Sequence, residues 1–338
     1  MTGRLTDRDP RPDAQRLLDE LVPPPHFADV RFSTYEPDPA QPSQQAALDR
    51  LREFAGSMSD RGGRRLFRRR SEPSGPPGVY LDGGFGVGKT HLLASLWHEA
   101  PAPKAFGTFV GYTHLVGALG FADAVAALST RSLVCIDEFE LDDPGDTVLM
   151  STLLARLVEA GVRLAATSNT LPGALGEGRF AADDFLREIQ GLSAHFEVVR
   201  IDGEDYRHRG LPEAPPAWSD DDARAWAGAQ TEATCDDFDA LCAHLARVHP
   251  SRYGELVDGV SGAAITGAHP LSDQNVALRL VSLADRLYDR DVPVAVAGCS
   301  IDRLFSDDML AGGYRKKYLR ALSRLTSLAR LAAEVDPG

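Results

Sequence analysis

Gly83-Gly84-Phe85-Gly86-Val87-Gly88-Lys89-Thr90 is the stretch on which the fold turns. It fits the pattern glycine, four residues, then Gly-Lys-Ser/Thr. The short apolar run Val79-Tyr80-Leu81 precedes it, and a helical pattern over His91–Glu99 follows. Glycines let successive backbone N–H groups converge on phosphate without a Cβ in the way, and the helix N-terminus adds its positive dipole end. Lys89 is placed to reach β- and γ-phosphates, and the Thr90 hydroxyl to ligate Mg²⁺. The competing reading is a glycine-rich turn that carries a lysine by chance. The chain has only four lysines (Lys89, Lys104, Lys316 and Lys317), which makes chance the poorer account. No guanine-reading N-K-x-D motif is present, so ATP is the expected nucleotide and Mg²⁺ its cofactor.

Working outward, strand and helix patterns alternate. Strands are expected at Val79–Leu81, Lys104–Val110, Leu133–Ile136, Val162–Thr167 and Phe196–Ile201. Helices are expected at Tyr112–Leu119, Ala122–Leu128, Asp146–Ala160 and Asp183–Leu192. Continuous apolar strands between helices predict an α/β fold, a P-loop NTPase with a parallel, helix-covered sheet. The expected organisation is an N-terminal helical, proline-rich and arginine-rich segment (1–75), the ATPase core (76–202), a linker or surface excursion (203–237), and an α/β extension ending in a long helix (238–338). Within the extension, strands are expected at Ala263–Ile265 and Val292–Ala297, with a helix at Gln274–Tyr288 between them.

A second apolar strand ends in acid, Leu133-Val134-Cys135-Ile136-Asp137-Glu138. At such a strand end an acidic residue holds the magnesium of P-loop enzymes, the role expected of Asp137. Glu138, one step on, is placed to orient and deprotonate the attacking water. The bland alternative is a solvated acidic turn. The next strand ends in Ser168-Asn169, where an amide can bind the γ-phosphate or the water, or serve only as a turn residue. Arg179, in Gly176-Glu177-Gly178-Arg179-Phe180, is either a transition-state arginine supplied by a neighbouring subunit or an ordinary surface arginine.

Composition limits the partners. Of 338 residues, 36 are basic and 49 acidic, a net charge of −13, which opposes strong nucleic-acid binding. No apolar run is long enough to span a bilayer, and the N-terminus lacks the apolar core of a secretory signal, so a cytoplasmic location is expected. Cys135, Cys235, Cys242 and Cys299 are too scattered for a zinc site and read as reduced structural thiols. Arg61, Arg64, Arg65, Arg68, Arg69 and Arg70 form a basic cluster. It is a candidate contact for anionic lipid, an acidic tail or nucleic acid, with a solvated arm as the alternative.

With these residues in place, the chain resembles the ZapE-like ATPases, an AAA+-type family of bacterial cell-division ATPases with mitochondrial relatives. The resemblance rests on Gln44-Gln45-Ala46-Ala47-Leu48, Gly78-Val79-Tyr80-Leu81 running into the loop, and Cys135-Ile136-Asp137-Glu138-Phe139 with Asp143 and Asp146. It continues through Ala166-Thr167-Ser168-Asn169, Asp205-Tyr206-Arg207, Asp285-Arg286-Leu287-Tyr288-Asp289 and Ser323-Arg324-Leu325. It implies an ATP-driven, self-associating hexameric ring. The bacterial members are associated with the division ring polymer FtsZ, and the mitochondrial members with protein quality control. Asn169 then corresponds to the sensor asparagine and Arg179 to the arginine finger. Two departures stand out. His91-Leu92-Leu93-Ala94 replaces a methionine-containing start and is closer to helicase loaders, which leaves a loader acting with the replication machinery as the alternative function. The family's paired arginines appear as Leu278-Arg279-Leu280, where Arg279 is either a sensor arginine or a solvated helix residue.

Overall fold

Successive residues of a strand point to opposite faces, so a sheet covered by helices on both sides needs strands apolar throughout. The computed structural model describes residues 2–10, 14–59, 76–84, 86–141, 144–172, 175, 185–203, 214–248 and 250–334. They fall into two compact units, Asp13–Arg209 and a second made of Met1–Pro12 with Gly210–Gly338.

The first unit contains α1 (Ala14–Asp19), α2 (Pro42–Ser59), β1 (Gly78–Gly83), α3 (Lys89–Glu99), β2 (Lys104–Thr108), α4 (Phe109–Leu119) and α5 (Phe121–Leu128). It continues with β3 (Leu133–Asp137), α6 (Pro144–Glu159), β4 (Arg163–Ser168), α7 (Leu186–Ser193) and β5 (Phe196–Ile201). All five strands are parallel, in the order β2-β3-β4-β1-β5. One face sends Val79, Leu81, Cys135, Ala165, Val199 and Ile201 into a core with α2 and α3. The other sends Tyr80, Val134, Ile136, Leu164 and Ala166 into a core with α4, α5, α6 and α7. This is the helix-covered parallel sheet expected of a P-loop NTPase. The strand expected to reach Val110 stops at Thr108. The Thr108 hydroxyl accepts from the Gly111 N–H at 3.0 Å and caps α4, so the aromatic and apolar residues that follow are helical.

The second unit contains α8 (Asp220–Gly228), β6 (Thr234–Asp237), α9 (Phe238–Arg247), α10 (Tyr253–Leu256), β7 (Ala263–Ala268), α11 (Gln274–Tyr288), β8 (Val294–Gly298), α12 (Asp307–Ala311) and α13 (Arg315–Glu334). Its three parallel strands lie in the order β6-β7-β8. Here the structure departs from the expected boundaries. The presumed excursion at 203–237 supplies α8 and β6. The apolar face of α8 is mostly alanine, Ala223 and Ala227 beside Trp226, packed on Ala264, Ala295 and Ala297. A face that small leaves little hydrophobic periodicity to read.

The segment expected at 1–75 is also divided. Helix α2 packs into the first unit, whereas residues 3–8 join the second. Gly3 bridges Thr234, and the buried Asp236 carboxylate accepts from Leu5 N at 2.9 Å, Thr6 N at 3.0 Å and Thr6 Oγ1 at 2.8 Å. Asp236→Ala leaves these donors without a partner and should lower the stability of this unit by about 2–4 kcal/mol. Urea unfolding followed by circular dichroism reads the shift, and an unmoved midpoint would count against the role of Asp236.

The Asp285-Arg286-Leu287-Tyr288-Asp289 and Ser323-Arg324-Leu325 stretches meet as a clamp between α11 and α13. Arg320 Nη2 lies 2.9 Å from Asp285 Oδ2, Arg324 bonds Oδ1, and the Arg324 guanidinium sits 5.2 Å from the Tyr288 ring centre. Burial pushes the Asp285 carboxyl up, but the two guanidiniums outweigh it and hold it below the ordinary range.

Candidate functional site

Strand order brings the expected residues together. Strand β4 lies between β3 and β1, with Ile136 opposite Ala166 and Leu81 opposite Thr167, so the ends of all three strands meet beside the loop. The chain leaves β1 at Gly83, where any Cβ would stand 2.3 Å from the Ile201 carbonyl oxygen of β5. It enters α3 through Gly88 at φ 86°, a left-handed conformation that favours glycine. A Cβ built on Gly84 would meet no atom within 4 Å, which leaves the loop open on that side for a phosphate chain. Asp82, just before the loop, is buried and paired with Arg200 Nη1 at 2.5 Å, so its negative charge is offset next to an anion site. Phe85 lies outside the described residues.

Lys89 Nζ donates to the Gly83 carbonyl at 2.9 Å, the Gly84 carbonyl at 2.5 Å and Asn169 Oδ1 at 2.9 Å. The lysine and the amide expected to share a phosphate are thus already in contact. Thr90 Oγ1 lies 3.1 Å from each Asp137 carboxylate oxygen. A hydroxyl and a carboxylate are hard oxygen donors, the set that suits Mg²⁺ with water in its remaining positions.

Glu138 follows Asp137 with φ 54°, uncommon for a residue with a side chain. Thr167 holds it there. Its hydroxyl accepts from Glu138 N at 3.0 Å and donates to Asp137 Oδ1, and its carbonyl accepts from Phe139 N at 2.7 Å. Backbone strain of this kind, held in place by neighbours, is concentrated at functional sites. Phe139 anchors the turn from the other side, with ring centres 5.0 Å from Phe109 and 6.2 Å from Tyr80. The sequence points to Asp137, Glu138 and Asn169 at these strand ends, but not to the threonine's part in holding the Asp137-Glu138 turn. The only signal for it was its place in Ala166-Thr167-Ser168-Asn169.

The remaining candidates fare differently. Arg179, Asp143, Asp205-Tyr206-Arg207 and the Arg61–Arg70 cluster lie outside the described residues. For Arg279 the structure corrects the reading as a solvated helix residue. In the second unit its Nη1 donates to the Leu245 carbonyl at 2.8 Å and the Val248 carbonyl at 3.1 Å, so it caps the end of α9 instead of lying free in solvent. Among the described residues, no helix is long and apolar enough to cross a membrane.

The chain is 30% identical over 164 residues to the cell division protein ZapE of Escherichia coli strain K12, covering 44% of each chain. It is 28% identical over 153 residues to the uncharacterized protein C115.02c of Schizosaccharomyces pombe, covering 40% of this chain and 34% of that one. The matched stretch thus spans less than half the length of these curated relatives. A crystal structure of DnaI overlaps 54% of this chain and 99% of its own, at 16% identity and a TM-score of 0.40. The family model described as AFG1-like ATPase matches residues 12–230 and 219–334. Over nearly its whole length, then, the chain belongs to the AFG1-like ATPase family.

Proposed function

We propose that this chain binds ATP and hydrolyses it to ADP and phosphate by in-line attack of water. One observation carries the reading: Lys89, Thr90, Asp137 and Asn169 converge at the same end of the sheet, with Lys89 Nζ 2.9 Å from Asn169 and Thr90 Oγ1 3.1 Å from Asp137. In this reading Lys89 exchanges the Gly83 and Gly84 carbonyls for β- and γ-phosphate oxygens that the loop amides also hold. Thr90 and Asp137 hold Mg²⁺, which when bound neutralises charge on those oxygens. Glu138 takes the proton of the attacking water, and Asn169 orients that water or the γ-phosphate. Arg179 is the residue we assign to a neighbouring subunit's site, where such an arginine contributes about 10³–10⁵ in rate.

The energy released is used, in this proposal, to remodel a protein client from within a hexameric ring. The E. coli relative's name, a cell division protein, supports a role in cell division, and the resemblance to the ZapE-like ATPases makes the division ring polymer FtsZ our candidate client. The protein would then act in the cytoplasm at the division site, with the Arg61–Arg70 cluster as its candidate membrane contact. The direct test is phosphate release and retention of labelled ATP by the purified chain, with and without Mg²⁺. Turnover should require Mg²⁺ and fall to background in EDTA. Neither binding nor release in Mg²⁺, alone or with cell extract, would sink the proposal.

A further inference from the structure

His91, the residue that departs from the methionine-containing pattern after the loop, is tied to a segment far upstream. Its Nε2 lies 3.3 Å from the Arg31 carbonyl and 3.1 Å from Thr34 Oγ1. A carbonyl only accepts, so Nε2 carries the proton in that bond. Two turns along the same face of α3, His98 Nε2 lies 2.9 Å from the Phe27 carbonyl. Residues 27–35 therefore run along the helix that begins at the phosphate loop, and they end on the loop itself. The Tyr35 hydroxyl donates to the Val87 carbonyl at 3.0 Å. Its ring covers Gly88, where a Cβ would come within 2.6 Å of Tyr35 Cε2, and lies 5.6 Å from the His91 ring centre.

The strap is also pinned beyond Tyr35. The Asp38 N–H donates to Gln44 Oε1 at 2.8 Å, and Gln44 Nε2 donates to the Asp202 carbonyl at 2.9 Å. Both ends of the Gln44 amide are thus used on backbone, and Asp202 N–H donates to Ser43 Oγ at 2.9 Å.

A glycine-rich loop has much backbone freedom to lose when its residues are fixed. If binding must supply that ordering, affinity falls; if the fold supplies it beforehand, affinity is kept. We propose that Tyr35 is a positioning residue for the phosphate loop, holding the Val87 carbonyl and the left-handed turn at Gly88 so that the loop amides face the phosphates before ATP arrives. His91 anchors the strap that carries it. The proposal rests on the ATP-binding reading above. Tyr35 acts through the loop, whereas Asp137, Glu138 and Asn169 stand at the ends of β3 and β4. Its loss should therefore weaken ATP binding and leave the chemical step alone.

Tyr35→Phe keeps the ring over Gly88 and removes only the donated hydrogen bond, so the ATP Kd should rise about 2- to 10-fold. Tyr35→Ala also frees the turn and should raise it about 10- to 100-fold. In both variants kcat at saturating ATP should stay at the wild-type value. The measurements are titration with a fluorescent methylanthraniloyl ATP, steady-state phosphate release, and the thermal melting point of each variant. A graded rise in Kd and KM at constant kcat and unchanged melting supports the proposal. Unchanged Kd, a fall in kcat instead, or a Kd loss matched by a lowered melting point would each overturn it. A wild-type protein that binds no ATP would be a different failure, that of the functional reading itself, visible before any variant is made.

Discussion

Glu138→Gln should bind ATP as the wild-type protein does and turn it over about 10²–10⁴-fold more slowly, the usual contribution of a positioned general base. Glutamine keeps the length and shape of the side chain but accepts no proton at neutral pH. The backbone at φ 54° is held by Thr167 through the Glu138 and Phe139 N–H groups, which the substitution leaves in place. Asp137 and Thr90 are untouched, so the residues assigned to Mg²⁺ remain. Single-turnover phosphate release beside a nucleotide-binding titration separates the two effects. Unchanged turnover would remove Glu138 from the mechanism, and lost binding would make it part of the nucleotide or metal site instead. The same variant, held with ATP bound, is the form in which a protein client is best captured.

Lys89→Ala should fail one step earlier. Two charge-assisted hydrogen bonds to phosphate oxygens contribute together about 3–4 kcal/mol, so ATP affinity should fall about 10²–10³-fold, and turnover with it. The fold should not suffer. Lys89 now bonds the carbonyls of Gly83 and Gly84 and the Asn169 amide, and Gly84 is exposed, so water can replace the ammonium there. An unchanged melting point with lost nucleotide retention is the expected pair of results. Retained affinity would mean that the loop amides alone hold the phosphates. The two variants differ in kind, since one removes binding and the other only the reaction, and together they divide the site into its two tasks.

How much of this was legible in the sequence depends on how far each feature reaches. Phe196–Ile201 and Gln274–Tyr288 form with the bounds read from their residues, because six apolar-rich positions or a four-turn amphipathic pattern contain their own signal. Helix α8 was not legible, because alanines pack against alanines there and barely register as an apolar face. Asp236 in β6 falls within the stretch 203–237 read from the sequence as a linker or surface excursion. It is buried because Leu5 and Thr6, more than two hundred positions away, bring it their donors. Arg279 could be read from its helix as a solvated residue, and the carbonyls of Leu245 and Val248, more than thirty positions away, hold it instead.

By itself the order of residues points to an anion nest here and picks out a lysine, a threonine, two acids and an asparagine as the groups proposed to serve it. That chemistry is written in short runs at strand ends, where spacing along the chain sets spacing in space. Only the tertiary structure decided what keeps those groups in place. Thr167 grips the Asp137-Glu138 turn from 30 positions on, and Tyr35 grips the loop from 52 positions back. Neither partner has a local pattern that announces it. Such contacts exist only once the sheet has set its strand order and the strap has been laid along α3.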